Sequence, residues 1–393
     1  MAGISMASEG KPIRLMVNRF NQFGGKHCET SALRKVLAHR GVDLSEEMLL
    51  GIGGGPGFFY MEIGQLNFPL IATRFRDTKR DFLQTICERI GGKAEIITGK
   101  IKGTDALIES LSKKEPAIVY GDMVFLDYLA LPPEAHFGGH SFVVYGIDAE
   151  QDTVYISDRA NTGVTARLRE LEEARGSTFK PYPPNYKILD ISYPSGKMDL
   201  RSVVMAGIRD CYNNMLYPPI KNIGLSGIQK WASLIVKWPD KYRDLNLWGA
   251  LLNAFIFIET GGTGGQAFRN MYAKFLREAV EITGNRKLDE VARMMDESGS
   301  VWSNIAEAVL PDSCQTLAET KKLMVEKNRI FEQYPGNALE RMQEINRKMD
   351  EAKHGLDKDL GKAPGFLLDV QRLILQVYDI EKRAFSALKA AVK

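Results

Sequence analysis

Short β-rich stretches alternate with helical patterns in the first half of the chain, and these stretches predict β-strands. The predicted strands cover residues 57–63, 70–75, 94–98, 117–121, 141–147, 153–157 and 187–193, and the last three are rich in Val, Ile and Tyr. Apolar residues at helical spacing lie before and between them, at residues 28–40, 79–90 and 104–111. A helix followed by strands that cluster later predicts an α+β domain rather than a doubly wound parallel sheet.

Beyond about residue 198 the β-rich stretches end, and long segments with apolar residues at helical spacing follow. The helical spacing is clearest in residues 364–392, whose apolar positions include Phe366, Leu367, Val370, Leu373, Ile374 and Val377. Similar amphipathic segments cover residues 245–259, 266–282 and 317–331. A proline-rich stretch and the turn at residues 193–196 separate the two patterns. The sequence therefore predicts an α+β domain over residues 1–197 and an all-helical domain over residues 198–393.

The charges are nearly balanced, with 52 Lys and Arg against 49 Asp and Glu. This balance gives no clustered basic face of the kind that nucleic-acid binding requires, so no nucleic-acid partner is expected. No apolar run approaches the roughly 20 residues of a membrane-spanning helix, and the first twelve residues lack the features of a secretory signal. The cysteines are widely scattered: Cys28, Cys87, Cys211 and Cys314. We therefore expect a cytoplasmic protein without disulfides, membrane contact, metal or cofactor.

Cys28 stands where a loop with two glycines meets a predicted helix. A thiol at a helix N-terminus has a lowered pKa, because the helix dipole and the free amides favour the thiolate. Gln22 lies six positions earlier, where its side-chain amide and the Cys28 N–H are expected to donate to an oxyanion. A single cysteine at a helix start is more commonly a small buried residue. The residues that follow favour catalysis.

His140 opens one predicted strand, and a second strand over residues 153–157 leads directly to Asp158. A hairpin of these strands brings His140 and Asp158 together. The imidazole is then placed to act as a base for Cys28, and the carboxylate to orient it. Asn161 is a second candidate for the orienting residue. The ordered set of Gln, Cys, His and Asp favours nucleophilic catalysis over separate structural roles.

Two glycine-rich loops leave alternatives open. Residues 51–57 do not complete a nucleotide-binding pattern and lead into a strand. Either Gly54 and Gly55 let the backbone approach a substrate or the catalytic helix, or the loop is a plain turn. Residues 261–265, near Arg269, form either an anion site at a helix N-terminus or a helix break with glycine as C-cap.

Two further histidines lie close to the candidate site in sequence. His27 precedes the nucleophile and either tunes the thiolate or fills space. His136 lies four residues before His140, on a loop with two glycines. A metal site built on His136 and His140 lacks an identifiable third ligand. Loop flexibility that presents His140 is therefore favoured.

Several strings of the sequence resemble the N-terminal domain of butirosin biosynthesis protein H. They are His-Cys-Glu-Thr-Ser-Ala-Leu at 27–33, Gly-Ile-Gly-Gly-Gly-Pro-Gly-Phe-Phe-Tyr at 51–60, and His-Phe-Gly-Gly-His at 136–140. Residues 258–279 resemble an uncharacterised helical domain often fused to it. The resemblance implies a papain-like, cysteine-peptidase-type domain with Cys28 as nucleophile, His140 as base and Asp158 as orienting residue. The candidate substrate contacts are His27, Gly54, Gly55, Tyr60 and His136.

The resemblance also implies an activity. The family's namesake transfers an aminoacyl group from an acyl carrier protein to an aminoglycoside amine. We therefore expect a cysteine-dependent acyltransferase with an acyl-enzyme at Cys28, a carrier-protein or small-molecule thioester donor, and an amine acceptor. Related peptidases that remove double-glycine leaders commonly have an acidic residue before the cysteine, where this chain has His27. The alternatives are hydrolysis by a peptidase or amidase, and a papain-like binding module without catalysis.

Overall fold

The computed structural model describes residues 7–8, 11–62, 67–74, 80–194, 196 and 198–392 of the 393-residue chain. These residues form two compact units. The first contains the described residues within Met1–Leu44, Gly91–Ser195 and Lys327–Asn346, and the second those within Ser45–Ile90, Gly196–Glu326 and Arg347–Lys393. The units are thus built from interleaved segments. The division of the chain into domains 1–197 and 198–393 stays a prediction.

The strands are short and are confined to the first half of the described chain. They are β1 Ala7–Ser8, β2 Lys11–Pro12, β3 Arg14–Met16, β4 Phe59–Met61, β5 Leu70–Ala72, β6 Lys93–Ile97, β7 Ala117–Gly121, β8 His140–Asp148, β9 Thr153–Ser157, β10 Val164–Ala166 and β11 Ile188–Ser192. Every strand pairing within the described residues is antiparallel.

Helices make up most of the remaining structure. They are α1 Cys28–His39, α2 Glu46–Ile52, α3 Phe82–Arg89, α4 Lys100–Ser112, α5 Leu168–Gly176, α6 Leu200–Leu216, α7 Gly224–Ile235, α8 Trp238–Lys241, α9 Asp244–Phe255, α10 Arg269–Thr283, α11 Lys287–Val309, α12 Gln315–Gln333, α13 Ala338–Ala352, α14 Leu356–Leu360 and α15 Ala363–Ala391. A π-helical turn over Ile256–Thr260 extends α9. No helix among the described residues is both long and apolar enough to cross a membrane.

The first unit is built around one twisted sheet, in the order β10-β9-β8-β7-β11-β6, with β3 also paired to β8. The central strand β7 is buried along its whole length. Helix α1 packs against β7 and β8, and α5 also packs against β7. Leu33, Val36 and Leu37, which the sequence places on one face of α1, are all buried. The burial of that face fixes the rotation of α1 and hence the direction of its first residue, Cys28.

The second unit is mostly helical, with α11 packed against both α10 and α15. Arg269 and Glu381 form a fully buried ion pair at this junction. The guanidinium donates to both carboxylate oxygens, from Nε at 2.7 Å and from Nη2 at 3.0 Å. Nη1 donates to the carbonyl oxygens of Gly57, Thr73 and Ala267. Because Arg269 is buried and saturated with internal acceptors, the hypothesis that it helps bind an external anion is wrong.

The observed elements confirm a mixed helix-and-sheet protein with an antiparallel sheet and a helical C-terminal region. Strands β7 and β9 have the predicted bounds, and α1 differs from its prediction by one residue. The predicted segments 57–63, 70–75 and 79–90 and the turn 193–196 include residues 63, 75, 79 and 195, which lie outside the described residues. Their described parts contain β4, β5 and α3.

Candidate active site

Cys28 is the first residue of α1 and is half-buried. The preceding residue, His27, is the N-cap of the helix: its Nδ1 accepts a hydrogen bond from the Thr30 N–H at 3.4 Å. The first N–H groups of a helix have no acceptor within the helix, so the Cys28 amide is available to a developing negative charge. The sequence folds this way because a polar cap follows the loop directly and an apolar stripe follows the cap.

His140 and Asp158 meet at one end of the β8–β9 hairpin. Nε2 of His140 lies 2.7 Å from Oδ2 of Asp158, and both side chains are buried. The imidazole also interacts electrostatically with the Cys28 thiol. Since Nε2 bonds to the carboxylate, Nδ1 is the ring nitrogen left for the thiol. The structure thus brings three sequence-predicted residues into one chain of contacts, from Cys28 through His140 to Asp158.

The electrostatics of these three groups favour the charged forms. Burial opposes ionisation of Cys28, but the hydrogen bond and the positive charge of His140 bring the net pKa of the thiol below its ordinary value. Burial also opposes the imidazolium, yet the charge and hydrogen bond of Asp158 raise the pKa of His140. The pKa of the Asp158 carboxyl is lowered, because His140 outweighs its desolvation. This pattern is typical of a thiolate–imidazolium pair.

Asp158 has further partners besides His140. Its Oδ2 accepts from the Tyr128 hydroxyl at 2.9 Å, and its Oδ1 accepts from the Arg159 N–H at 2.8 Å. Its backbone oxygen accepts from the buried Lys35 Nζ at 2.5 Å, which also donates to Ser31 Oγ at 2.7 Å. Lys35 therefore ties the helix of the nucleophile to the strand end that carries the orienting carboxylate.

Sequence reasoning missed both Tyr128 and Lys35. Lys35 did leave a signal, because it lies seven residues after Cys28 and so on the same face of α1. A lysine on the inward face of a helix requires a buried hydrogen-bond acceptor. Tyr128 left no such signal. It lies in an irregular segment, a 3-10 turn over Asp127–Leu129, and only the fold brings it to the carboxylate.

Two regions of the chain match known family models. A family model described as butirosin biosynthesis protein H, N-terminal, matches residues 27–159. This part of the chain is similar to that family. The matched region begins one residue before Cys28 and ends one residue after Asp158, so this butirosin H region contains the whole chain of contacts. Residues 169–332 match a domain of unknown function, DUF4872. No curated protein matches the chain.

Gln22 lies just before the butirosin H region, and its side-chain amide is engaged locally. Nε2 donates to the backbone oxygen of Ala160 at 2.9 Å and to that of Phe23 at 3.3 Å. The Asn161 side chain lies against Gly24, where a Cβ atom would be 2.2 Å from its Oδ1. The carboxylate that reaches His140 is thus Asp158, and the oxyanion role of Gln22 stays a prediction.

The loop histidine of the butirosin H region has its own carboxylate partner. Nδ1 of His136 lies 2.7 Å from Oδ2 of the fully buried Asp122, which also accepts from the Ser177 hydroxyl at 2.7 Å. The imidazole stacks on Phe179. Among the described residues no group of three His, Cys, Asp or Glu side chains is placed to hold a metal ion. Substrate contact by His136 stays a prediction, as it does for the capping residue His27.

The remaining candidates, Gly54, Gly55 and Tyr60, lie in the second unit. The two glycines have φ of 106° and 70°, and a Cβ atom on Gly55 would lie 2.6 Å from the Tyr272 ring. Close packing therefore explains why this loop is rich in glycine. Tyr60 is buried, and its hydroxyl donates to Glu62 at 3.2 Å and accepts from Trp238 at 3.4 Å. Substrate binding by these residues stays a prediction.

Proposed function

We propose that the protein is a cysteine-dependent acyltransferase that works through a thioester on Cys28. The observation that carries the proposal is the chain of contacts from the half-buried Cys28 through His140 to Asp158. A non-catalytic binding module does not require a thiol with a lowered pKa beside an imidazole with a raised one. We further propose that the first unit, a helix bearing the nucleophile packed on an antiparallel sheet bearing the base, is papain-like.

In the first half-reaction, the Cys28 thiolate attacks the carbonyl carbon of an acyl thioester. The oxyanion forms next to the Cys28 N–H at the start of α1, and Gln22 would add a second donor only after releasing Ala160. Collapse of the intermediate breaks the bond between the carbonyl carbon and the donor sulfur. The His140 imidazolium gives its proton to the departing thiolate. The products are acyl-Cys28 and a free thiol.

In the second half-reaction, a neutral amine attacks the acyl-Cys28 carbonyl. His140, now neutral, accepts the proton that the amine nitrogen loses as the new amide bond forms. The carbon–sulfur bond then breaks and restores the thiolate beside the imidazolium. Asp158 stays ionised in both halves and stabilises the imidazolium. A carrier-protein or small-molecule thioester would serve as donor, in line with the family's link to butirosin biosynthesis.

Intact-mass spectrometry tests this proposal directly. After exposure to aminoacyl thioesters of pantetheine, the wild-type protein should gain the mass of one acyl group, and Cys28→Ala should gain none. Cys87→Ala is the matched control, because burial raises the pKa of that thiol to about 12 and makes it inert. It should be acylated like the wild type. An equal mass gain in Cys28→Ala, or none in the wild type, would overturn the proposal.

Hydrolysis uses the same residues with water as acceptor. Adding amines to the isolated acyl-enzyme separates the two activities. A transferase loses its acyl group faster with amine and releases an amide, whereas a hydrolase loses it at the same rate with or without amine.

A further inference from the structure

Residues 327–346, at the end of α12 and the start of α13, belong to the same compact unit as Cys28, His140 and Asp158. They lie about 170 residues beyond Asp158 in the chain; residues 327–332 end the region that matches the domain of unknown function, and residues 333–346 follow it. None of them contains the nucleophile or the base. Their contacts, however, converge on the segments that hold the orienting carboxylate.

The first set of contacts holds the turn that carries Tyr128. The Tyr334 hydroxyl donates to the Tyr128 backbone oxygen at 3.2 Å. Two residues later, the backbone oxygen of Ala130 accepts from Lys327 Nζ and from Asn346 Nδ2, both at 2.7 Å. The turn is thus fixed at two carbonyls by three side chains. The hydroxyl of Tyr128, which lies in this turn, donates to the Asp158 carboxylate.

The second set of contacts holds the backbone on either side of the site. The backbone oxygen of Glu332 accepts from the Asn161 N–H at 2.8 Å, and its carboxylate pairs with Lys26 at 2.9 Å. The Arg159 guanidinium lies over the Phe331 ring, 5.0 Å from its centroid. The segment therefore touches the chain just after Asp158 and the chain just before Cys28.

The burial of Lys327 adds an independent argument. Its ammonium is buried, and its hydrogen-bond acceptors among the described residues are the uncharged oxygens of Ala130 and Asn346. Burying an ammonium group without a carboxylate lowers stability, and here it lowers the pKa of Lys327 to about 8. An apolar side chain at this position would avoid that loss of stability. A lysine suits the position because its ammonium reaches the carbonyl of the Tyr128 turn.

We propose that residues 327–346 complete the active site from the helical half of the chain, with Tyr334 and Lys327 as positioning residues. They hold the turn that contains Tyr128 in place. Tyr128 then positions the carboxylate of Asp158, and Asp158 positions the imidazole beside Cys28. The catalytic unit is therefore built from both halves of the sequence, and the butirosin H region alone lacks part of it. The inference rests on the proposed function, because its effect is measured on the Cys28–His140 pair.

The test is the pH dependence of Cys28 alkylation by iodoacetamide in the full-length protein, followed by peptide mapping. In Tyr334→Phe/Lys327→Met we expect the midpoint to rise by about one pH unit, which lowers the rate about tenfold at pH values below the wild-type midpoint. Tyr334→Phe alone, which removes one hydroxyl, should shift the midpoint in the same direction by less. Tyr217→Phe is the matched control, since its exposed hydroxyl bonds only to Lys389 among the described residues.

A merely structural role predicts a different result. If the variants unfold more easily but keep the wild-type pH profile, the proposal is wrong. If the double variant does not fold, an unchanged profile in Tyr334→Phe overturns the proposal and an upward shift supports it. If the proposed function itself is wrong, the wild-type protein should already show the midpoint of an ordinary thiol, which distinguishes the two failures.

Discussion

His140→Asn should slow the alkylation of Cys28 by iodoacetamide at pH 6 about 10²–10³-fold. Without the imidazolium, burial and the nearby Glu29 carboxylate both oppose the thiolate, so the pKa of Cys28 should rise to an ordinary value or above it. A thiol with a pKa of about 8.5 is only about 0.3% ionised at pH 6. Asparagine removes the charge but keeps a polar side chain at this position, and the Tyr128 hydroxyl and the Arg159 N–H still donate to the buried Asp158 carboxylate.

His39→Asn is the matched control for this experiment. His39 is the last residue of α1, so the same substitution is made on the helix of the nucleophile but far from the thiol. The control should react at the wild-type rate, and rates should be measured by mapping the peptide that contains Cys28. Equal rates for His140→Asn and the wild type would show that His140 does not activate the thiol.

The second large effect concerns stability. Arg269→Met should lower the free energy of unfolding by about 3–5 kcal/mol, because it leaves the buried Glu381 carboxylate without its cation. The Trp302 indole and the Ser298 hydroxyl each still donate to Glu381 at 2.8 Å, but neither supplies a compensating charge. Denaturant titration of the full-length protein measures the loss.

Arg277→Met provides the comparison on the same helix. Arg277 forms an exposed ion pair with Asp296, and such pairs contribute about 0–1 kcal/mol. If Arg269→Met costs no more than Arg277→Met, the buried pair does not stabilise the second unit as described. A loss of about 3–5 kcal/mol in both variants would point to a general intolerance of α10 to substitution.

The central contact of the site could be predicted from local sequence alone. An antiparallel hairpin places the start of its first strand beside the end of its second, so His140 and Asp158 must meet if the two strands pair. Cys28 could be predicted for a similar reason, because a polar cap and an apolar stripe define where α1 begins and which face is buried. Both arguments use only neighbours in sequence and the periods of regular structure.

Other parts of the site depend on contacts distant in sequence. Tyr128 reaches Asp158 from an irregular turn, and Tyr334 reaches that turn from more than 200 residues further along the chain. No periodicity predicts such contacts. Arg269 shows the opposite failure: beside a glycine-rich loop it has the sequence pattern of an anion site, but a carboxylate 112 residues away already neutralises it. Chemical type and spacing cannot reveal a partner that only tertiary packing provides.

The most direct measurement is the ultraviolet absorbance of the Cys28 thiolate as a function of pH, taken as the difference between the wild type and Cys28→Ser. Because His140 lowers the pKa of this thiol, the thiolate signal should appear well below the ordinary midpoint of about pH 8.5. The signal should disappear only when the pH falls below the lowered pKa of Cys28, because the sulfur is then protonated. A thiolate signal that rises only near pH 8.5 or above would contradict the ion pair and, with it, the assignment of Cys28 as the nucleophile.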